Sequence, residues 1–325
     1  MLKIVILGHG IGSKIIIEHL YNHPNLDAEV VAVVTHPREY HERDLRLVEN
    51  QKKIYGDFAY NIFNVTSDYN LPLLESIDVN NEATIQWIKS HNPDYLLSIG
   101  CRNIIKSFFL GEFNNKVLNI HTTPLPRYRG AASDSWMILN GESGKRSYGC
   151  LHYVDSGIDT GAIIAKEYYE IPPNSYPIDV FKARNSIFTN LIEQALVNLS
   201  STSFIPEIQN NEDSTTFPRL FTPENGRINF GMLRGVEYER FVYAFGYPFE
   251  GAHCFVEEKK VNILKVEYKT DIILHTFANG LIFGKTKDNE YKVAVSDGYI
   301  VIKIICIDGV EIEQKKVFKI GKRLS

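Results

Sequence analysis

The chain has 325 residues, 44% of them hydrophobic and 23% charged, with a formal net charge of −4 and an isoelectric point near 6.2. That is ordinary for a soluble globular protein long enough for two domains, and it argues against an overall basic surface built for phosphate backbones. The four cysteines, Cys101, Cys150, Cys254 and Cys306, are widely spread with no CxxC pair, so neither a disulfide framework nor a thiolate zinc site is indicated, and reduced thiols in a cytoplasmic setting are the simplest reading.

The first apolar run, Lys3 to Gly8, ends in glycine and is followed by Gly10, Gly12 and a periodic segment Ile15 to Leu20. This reads as strand, turn and helix rather than as a secretory leader. A buried strand at Glu29 to Thr35 closes a βαβ unit expected to be parallel and right-handed. His36 to Asn50 is expected as a loop running into a charged helix, Asn81 to Ser90 as an amphipathic helix, and Asp94 to Gly100 as a strand. Ile104 to Leu110 reads as a short helix, Val117 to His121 as a strand, and Ser133 to Leu139 as a helix capped by its Ser/Asp pair. Strands at Tyr148 to Val154 and Ala162 to Ile171 complete the sheet, and Pro177 to Leu199 carries apolar residues at helical spacing.

The fold class expected is α/β: a Rossmann-like, mostly parallel sheet with helices on both faces, followed by a small β-rich, OB-like domain. Residues 1–200 form the first domain, the polar stretch 201–216 a linker, and 217–325 the second domain. In the latter a helix at Val236 to Phe245 precedes short strands at Ala252 to Val256, Val261 to Glu267, Leu281 to Gly284, Tyr291 to Val295 and Tyr299 to Ile307, separated by turn signals. No stretch reaches the ~18 apolar residues of a membrane span.

Gly8-His-Gly10-Ile-Gly12 is a partial dinucleotide fingerprint. Ser13 stands where the third glycine belongs, and Thr35-His36-Pro37 stands where an acidic residue would end the second strand. A nicotinamide-dependent dehydrogenase is the low-ranked reading of this turn; a tight turn with close helix packing is the other.

The stretch from Asn119 to Gly161 is richer. Asn119 and His121 are two apart on a strand and share a face, at the carboxyl end where an open parallel sheet binds ligands. The rigid Pro124-Leu-Pro126-Arg-Tyr-Arg-Gly130 loop follows, then His152-Tyr-Val-Asp155 and Ile158-Asp159-Thr-Gly161. An amide, an imidazole and a carboxylate are the set needed to move an acyl group between two partners. A metal site from His121, His152, Asp155 and Asp159 is a competing reading, but no HExxH-like spacing supports it and no metal is expected.

Together Asn119-Ile-His121, the Pro124 to Gly130 loop, the helix with Trp136, Asn140-Gly141-Glu142 and Asp159-Thr-Gly161 resemble the superfamily of N10-formyltetrahydrofolate-dependent formyltransferases. The resemblance covers roughly Lys3 to Leu199 and continues more weakly through Phe221 to Ile228, Tyr247-Pro248, Gly251-Ala252 and Asp297-Gly298, which look like the carboxyl-terminal domain shared by the methionyl-tRNA and amino-sugar branches. The loop Thr122-Thr-Pro-Leu departs from the Ser-Leu-Leu type found in many members.

The resemblance implies that Asn119, His121 and Asp159 are catalytic and that N10-formyltetrahydrofolate is the formyl donor. An amine attacks the formyl carbon, and Asn119 and His121 donate to the oxygen of the tetrahedral intermediate, contacts worth about 3–4 kcal/mol each elsewhere. Asp159 orients or charges the imidazole and helps relay the proton. No covalent intermediate is needed, in keeping with the lack of a nucleophile motif. The donor pocket is implied at Gly100, Cys101, Arg102 and Ile104 on one wall and Val154 and Asp155 on the other.

For the acceptor, residues 207–325 carry 17 Lys and Arg against 17 Asp and Glu, without the positive surplus that a tRNA-binding tail needs. Arg102-Asn-Ile-Ile105 also looks more like the amino-sugar branch. A nucleotide-linked amino sugar is therefore the expected partner alongside tetrahydrofolate, with no nucleic acid and no membrane. Contacts are expected from Thr35, His36, Arg38, Tyr128, Arg129 and Tyr247. Methionyl-tRNA formylation and a non-catalytic folate-binding module are the alternatives, and a homodimer is expected on the resemblance alone.

Overall fold

The structure is a computed structural model that describes residues 1–40, 62–114 and 116–325. In chain order its elements are β1 (Leu2–Gly8), α1 (Ile11–Asn22), β2 (Ala28–Thr35), α2 (Ile62–Asp68), β3 (Leu73–Glu75), α3 (Glu82–Ser90), β4 (Tyr95–Ile99), α4 (Ser107–Glu112) and β5 (Val117–His121). There follow β6 (Arg129–Gly130), α5 (Ser133–Leu139), β7 (Arg146–Tyr153), β8 (Ile163–Glu170), α6 (Pro177–Asn185), α7 (Phe188–Ser200) and β9 (Thr216–Phe217). The chain ends with α8 (Glu237–Ala244), β10 (Ala252–Val256), β11 (Lys259–Lys269), β12 (Ile282–Lys285), β13 (Tyr291–Val295), β14 (Gly298–Ile307) and β15 (Val310–Glu311).

These elements form two compact units, each assembled from three stretches. Residues 1–130, 146–170 and 182–217 make the first, and 131–145, 171–181 and 218–325 the second.

Among the described residues the first unit holds a seven-stranded sheet in the order β3-β2-β1-β4-β5-β7-β8. The strands from β3 to β5 run parallel, and β7 and β8 are antiparallel to their neighbours. β1 explains this order: Ile4, Val5, Ile6 and Leu7 are all buried, as a central strand covered on both faces requires. Val5 and Leu7 join Ile85, Ile88, Phe109 and Phe113 in one core cluster. α1 packs on α7, which lies over β8. The chain leaves β1 for β2 and β3 and returns on the other side at β4, so the strand order reverses between β1 and β4, where an open sheet leaves a crevice at its carboxyl ends.

In the partial fingerprint Gly8 and Gly12 serve close packing, and Gly10 takes a positive φ of 89° with open space around it. A Cβ on Gly12 would lie 2.6 Å from the Phe188 ring, so α1 approaches α7 as closely as it does only because that position lacks a side chain.

Several elements differ from the sequence-level expectation. The span Pro177 to Leu199 is two helices: the N–H of Ser186 turns to Ala183 O and that of Ile187 to Arg184 O, and the Ser186 hydroxyl also donates to Ala183 O at 2.8 Å. Three-residue bonds of this kind close a helix end. α5 is not capped by its Ser/Asp pair; its cap residue is Ala132 in the left-handed region, with no side-chain bond. Instead Ser135 donates to Ala244 O at 2.9 Å. β3, α2, β6, β9 and β15 were not anticipated, and β11 runs longer than Val261 to Glu267. The stretch 201–216, expected as a linker, packs within the first unit, where Glu207 exchanges two backbone hydrogen bonds with Ile163. The charged helix expected within His36 to Asn50 lies, from residue 41 onward, outside the described residues.

The second unit is β-rich. Its antiparallel sheet follows the order β10-β11-β14-β13-β12 with β15 beside β14, around buried Val261, Ile263, Ile300 and Ile302. Arg323 bridges Leu281 beside β12 while Leu324 bridges Val256 of β10, so the two ends of the strand order meet the same terminal tail. α5 packs on α8, and Tyr238 is buried with its hydroxyl donating to Phe230 O at 2.9 Å. Among the described residues no helix is long and apolar enough to cross a membrane.

Because Phe109 is fully buried in the first unit's core, Phe109→Ala is expected to lower stability by about 3–5 kcal/mol in denaturant unfolding. Val197→Ser, at a residue 70% exposed, should stay within about 0.5 kcal/mol of the parent. Equal effects of the two would contradict this core.

Candidate active site

β5 and β7 pair antiparallel so that Asn119 faces His152 and His121 faces Cys150. Directly opposed residues in such a ladder share a face and bring their side chains together. Asn119 Nδ2 accordingly lies 3.1 Å from His152 Nε2. His152 Nδ1 is 2.7 Å from its neighbour's carbonyl, Tyr153 O, which can only accept, so the ring proton of the neutral form sits on Nδ1 and Nε2 accepts from the Asn119 amide. That assignment turns the amide nitrogen toward His152. Burial pushes the His152 imidazole below the ordinary histidine range; Asp159 opposes this and the nearby His121 adds to it.

His121 ends β5 and is 8% exposed. Its Nε2 lies 2.6 Å from Tyr128 O and 2.8 Å from Thr123 Oγ1. The carbonyl again fixes Nε2 as a donor, and the Thr123 hydroxyl, which donates to the same carbonyl at 3.4 Å, accepts alongside it. Nδ1 is left with its lone pair, and it faces Asp159 Oδ2 at 3.5 Å. Asp159 Oδ1 lies 3.7 Å from His152 Nε2. A single carboxylate thus stands between two imidazoles, and Asn119, His152, Asp159 and His121 form one polar cluster.

Asp159 reaches this place through strained backbone: its φ is 52°, a region that costs a non-glycine residue about 1–3 kcal/mol. The loop is held on both sides. Gly130 N–H donates to Asp159 Oδ2 at 2.9 Å, and a Cβ on Gly161 would lie 1.8 Å from Tyr153 O, so only glycine lets the loop return against β7. Gln209 Nε2 donates to Asp159 O at 2.9 Å and Gly161 O at 2.7 Å. Arg129 holds Gln209 Oε1 through Nε at 3.1 Å and Nη2 at 2.8 Å.

The remaining residues expected from the sequence fall in different places. Tyr128 is 2% exposed and stacks on Phe217, so its side chain is inside the unit and what it offers the site is its backbone carbonyl. Arg129 is 6% exposed and bonded to Gln209 and Asn211, behind the Asp159 loop rather than at an open surface. Both were expected as acceptor contacts; pairing of β6 with β9 buries their side chains. Thr35 and His36 are also buried, and His36 Nε2 accepts from Arg102 N–H at 2.9 Å, tying the end of β2 to the loop after β4. Arg38 lies over the Phe63 ring, 4.2 Å from its centroid. Tyr247, half-exposed, belongs to the second unit.

The loop after β4 presents Gly100, with φ 68°, Arg102 and Ile104 at the surface. It is pinned from below, since Asn80 Nδ2 donates to Ile104 O at 3.0 Å and Asn103 Oδ1 accepts from Val79 N–H at 3.2 Å. Cys101 is half-buried, its thiol pushed up to about 11 chiefly by burial. The Cys150 thiol, beside His121 across the ladder, is likewise driven up by burial, so both stay neutral and poor nucleophiles. Val154 N–H returns to Val117 O at 2.8 Å. Asp155 is exposed and accepts from Gly157 N–H and the Thr160 hydroxyl, closing its own turn. Among the described residues no group of three or more His, Cys, Asp or Glu is placed to hold a metal ion.

Thr123, the Tyr128 carbonyl and Gln209 were not foreseen as site groups, and His152 was weighed only as a metal ligand or a structural residue. For His152 the strand parity with Asn119 would have been the signal, had the register of β7 been known.

Comparison with known proteins follows this geometry. Residues 2–186 match the formyl transferase family model and residues 221–323 the formyl transferase C-terminal domain. The chain is similar to the methionyl-tRNA formyltransferase of Rickettsia bellii, 26% identical over 308 residues covering 92% of this chain and 90% of that protein. Its fold is similar to the N-formyltransferase from Helicobacter canadensis in complex with folinic acid and dTDP-3-aminofucose, with a TM-score of 0.62 at 20% identity over 93% of this chain and 99% of that one. A sugar N-formyltransferase from Shewanella sp. FDAARGOS_354 gives a TM-score of 0.58 at 16% identity over 81% and 96%. At these identities the structural likenesses establish the fold, while the family model spans more than half of the chain. With its Asn, His and Asp set gathered on β5 and the loop after β7, this chain belongs to the formyl transferase family.

Proposed function

We propose that this enzyme transfers the formyl group of N10-formyltetrahydrofolate to the primary amine of a nucleotide-linked amino sugar. The observation that carries the reading is the cluster of Asn119, His152, Asp159 and His121 in a member of the formyl transferase family. The neutral charge balance of residues 207–325 and the dTDP-aminosugar complex of the Helicobacter canadensis protein support the sugar acceptor.

In this reading the neutral amine attacks the formyl carbon, forming a C–N bond while the carbonyl electron pair moves to oxygen. One Asn119 N–H is held by His152, and the other donates to the developing oxyanion. His121 has its Nε2–H engaged by Tyr128 O and Thr123, so it acts at Nδ1. There it takes the amine proton, with the Asp159 carboxylate facing the imidazolium that results. This proposal differs from the expectation that the His121 imidazole donates to the oxyanion. Collapse of the intermediate breaks the bond to the folate nitrogen, which receives the proton from Nδ1. Atoms balance without an acyl-enzyme. Gly100, Cys101, Arg102 and Ile104 opposite Val154 and Asp155 are the proposed donor walls. Thr35, His36, Arg38, Tyr128 and Arg129 of the first unit remain proposed acceptor contacts, as does Tyr247 of the second, the buried ones acting by shaping the loops.

A second reading, formylation of methionyl-tRNA, is favoured by the Rickettsia bellii relative. It requires steep salt dependence, because phosphate contacts release counterions.

His121→Ala and Asp159→Asn are each expected to lower kcat by at least about 10²-fold, the scale for losing a group that acts on the transition state; turnover near the parent in either would sink the mechanism. Incubating the chain with the formyl donor and a panel of nucleotide amino sugars should yield an acceptor heavier by one formyl group, read by mass. Product from charged tRNA alone, falling steeply with salt, would replace the sugar by tRNA.

His152 gives a pH prediction. Its ring is held below the ordinary histidine range in the fold and returns to about 6.5 on unfolding. Above that pH neither state carries the proton and stability is full. As pH falls below about 6.5 the unfolded chain takes up a proton that the fold excludes, costing at most about 1.4 kcal/mol per pH unit. His152→Gln should therefore flatten the acid limb of stability against pH in denaturant titrations; an unchanged slope would show that another group sets it.

A further inference from the structure

The geometry points to Gln209, clamped by Arg129, as the positioning residue that sets Asp159 toward His121. This rests on the reading of Asp159 as part of the transfer site. Asp159 is in the left-handed region and follows four exposed residues, 155–158, in a turn whose local side-chain bonds run to Asp155 rather than to Asp159 itself. The restraint comes from 50 residues further along the chain.

Gln209 is 6% exposed. Its two N–H groups bracket the loop at Asp159 O and Gly161 O, and its carbonyl oxygen accepts two N–H groups of Arg129. Both ends of the carboxamide are in use, and turning it over would set its oxygen against two carbonyls and its NH2 against a guanidinium. Arg129 adds a bond to Asn211 at 3.0 Å and is held through its own backbone by Thr215 O at 3.0 Å. The next residue, Gly130, donates to the Asp159 carboxylate. Arg129 and Gly130 therefore hold Asp159 twice, at the carboxylate directly and at the backbone through Gln209. Gly130 itself is locked, since φ is 93° and a Cβ would meet Phe217 O at 2.2 Å. Two residues before Gln209, Glu207 is bonded to Ile163 at 2.8 and 2.9 Å, which anchors the strap to β8. A carboxylate mis-set by about 1 Å costs on the order of 10²-fold in rate, so this amide acts on turnover without touching substrate.

The test is a double-mutant cycle on the full chain. Gln209→Ala is expected to lower kcat at least about tenfold with KM for donor and acceptor nearly unchanged. In the Asp159→Asn background the same change should cost less than about twofold, because what it positions is gone. Gln209→Glu keeps a partner for Arg129 but has no N–H for the two carbonyls, and should lose as much as the alanine variant; it also serves if Gln209→Ala does not fold. Equal losses in both backgrounds, or an unchanged kcat, would overturn the proposal. Amide hydrogen exchange reads the anchor independently of the reaction: exchange in the 156–162 segment should rise in Gln209→Ala while β1 and β2 stay protected, and unchanged exchange there counts against the anchor. If the parent enzyme formylates no acceptor, the functional reading fails on that result, and the anchor is judged on exchange alone.

Discussion

The site depends on one carboxylate held between two imidazoles. Asp159 faces Nδ1 of His121 and Nε2 of His152, and the roles of both rings follow from which carbonyl each has already engaged. Tyr128 O takes the Nε2–H of His121, and Tyr153 O takes the Nδ1–H of His152. The first ring is left with its basic nitrogen toward the carboxylate, and the second with its basic nitrogen toward Asn119. In the proposed reaction, two backbone acceptors thereby divide one pair of histidines into a proton carrier and a neutral anchor.

The sheet makes this arrangement available. A parallel sheet alone would place Asn119 and His121 at a strand end with no partner strand returning past them. The antiparallel β7 runs back alongside β5, sets His152 opposite Asn119, and then delivers the Asp159 loop to the same edge. The cost is a buried, neutral histidine and a left-handed aspartate. The histidine is held by Asn119 and the Tyr153 carbonyl, and the aspartate by bonds from elsewhere in the chain, from Gly130 and from Gln209.

Much of this was readable from residues. The apolar run Ile4 to Leu7 of β1 required a central, doubly covered strand, and the two-residue spacing of Asn119 and His121 required one face, whatever the fold around them. The resemblance selected Asp159 over Asp155, and the structure sets Asp159 at the histidines while Asp155 closes its own turn. What sequence could not reach depended on long-range pairing. Tyr128 and Arg129 lie in a proline- and glycine-rich loop that looks exposed, and only the β6–β9 bridge to residues 216–217 buries them. Gln209 sits in a polar stretch with the composition of a linker, and nothing local distinguishes it from its neighbours. The break at Ser186 was hidden because apolar spacing continues across it, whereas the capping bonds that end the helix are local.

The account stands most directly on the proton positions of the two rings, which ¹⁵N NMR of the full chain labelled at histidine resolves through the ring nitrogen shifts and couplings. The neutral form of His121 should carry its proton on Nε2, and His152 on Nδ1. A neutral His121 protonated at Nδ1 would hand the working role to the nitrogen that faces Tyr128 O, and would contradict the assignment of proton transfer to the atom beside Asp159.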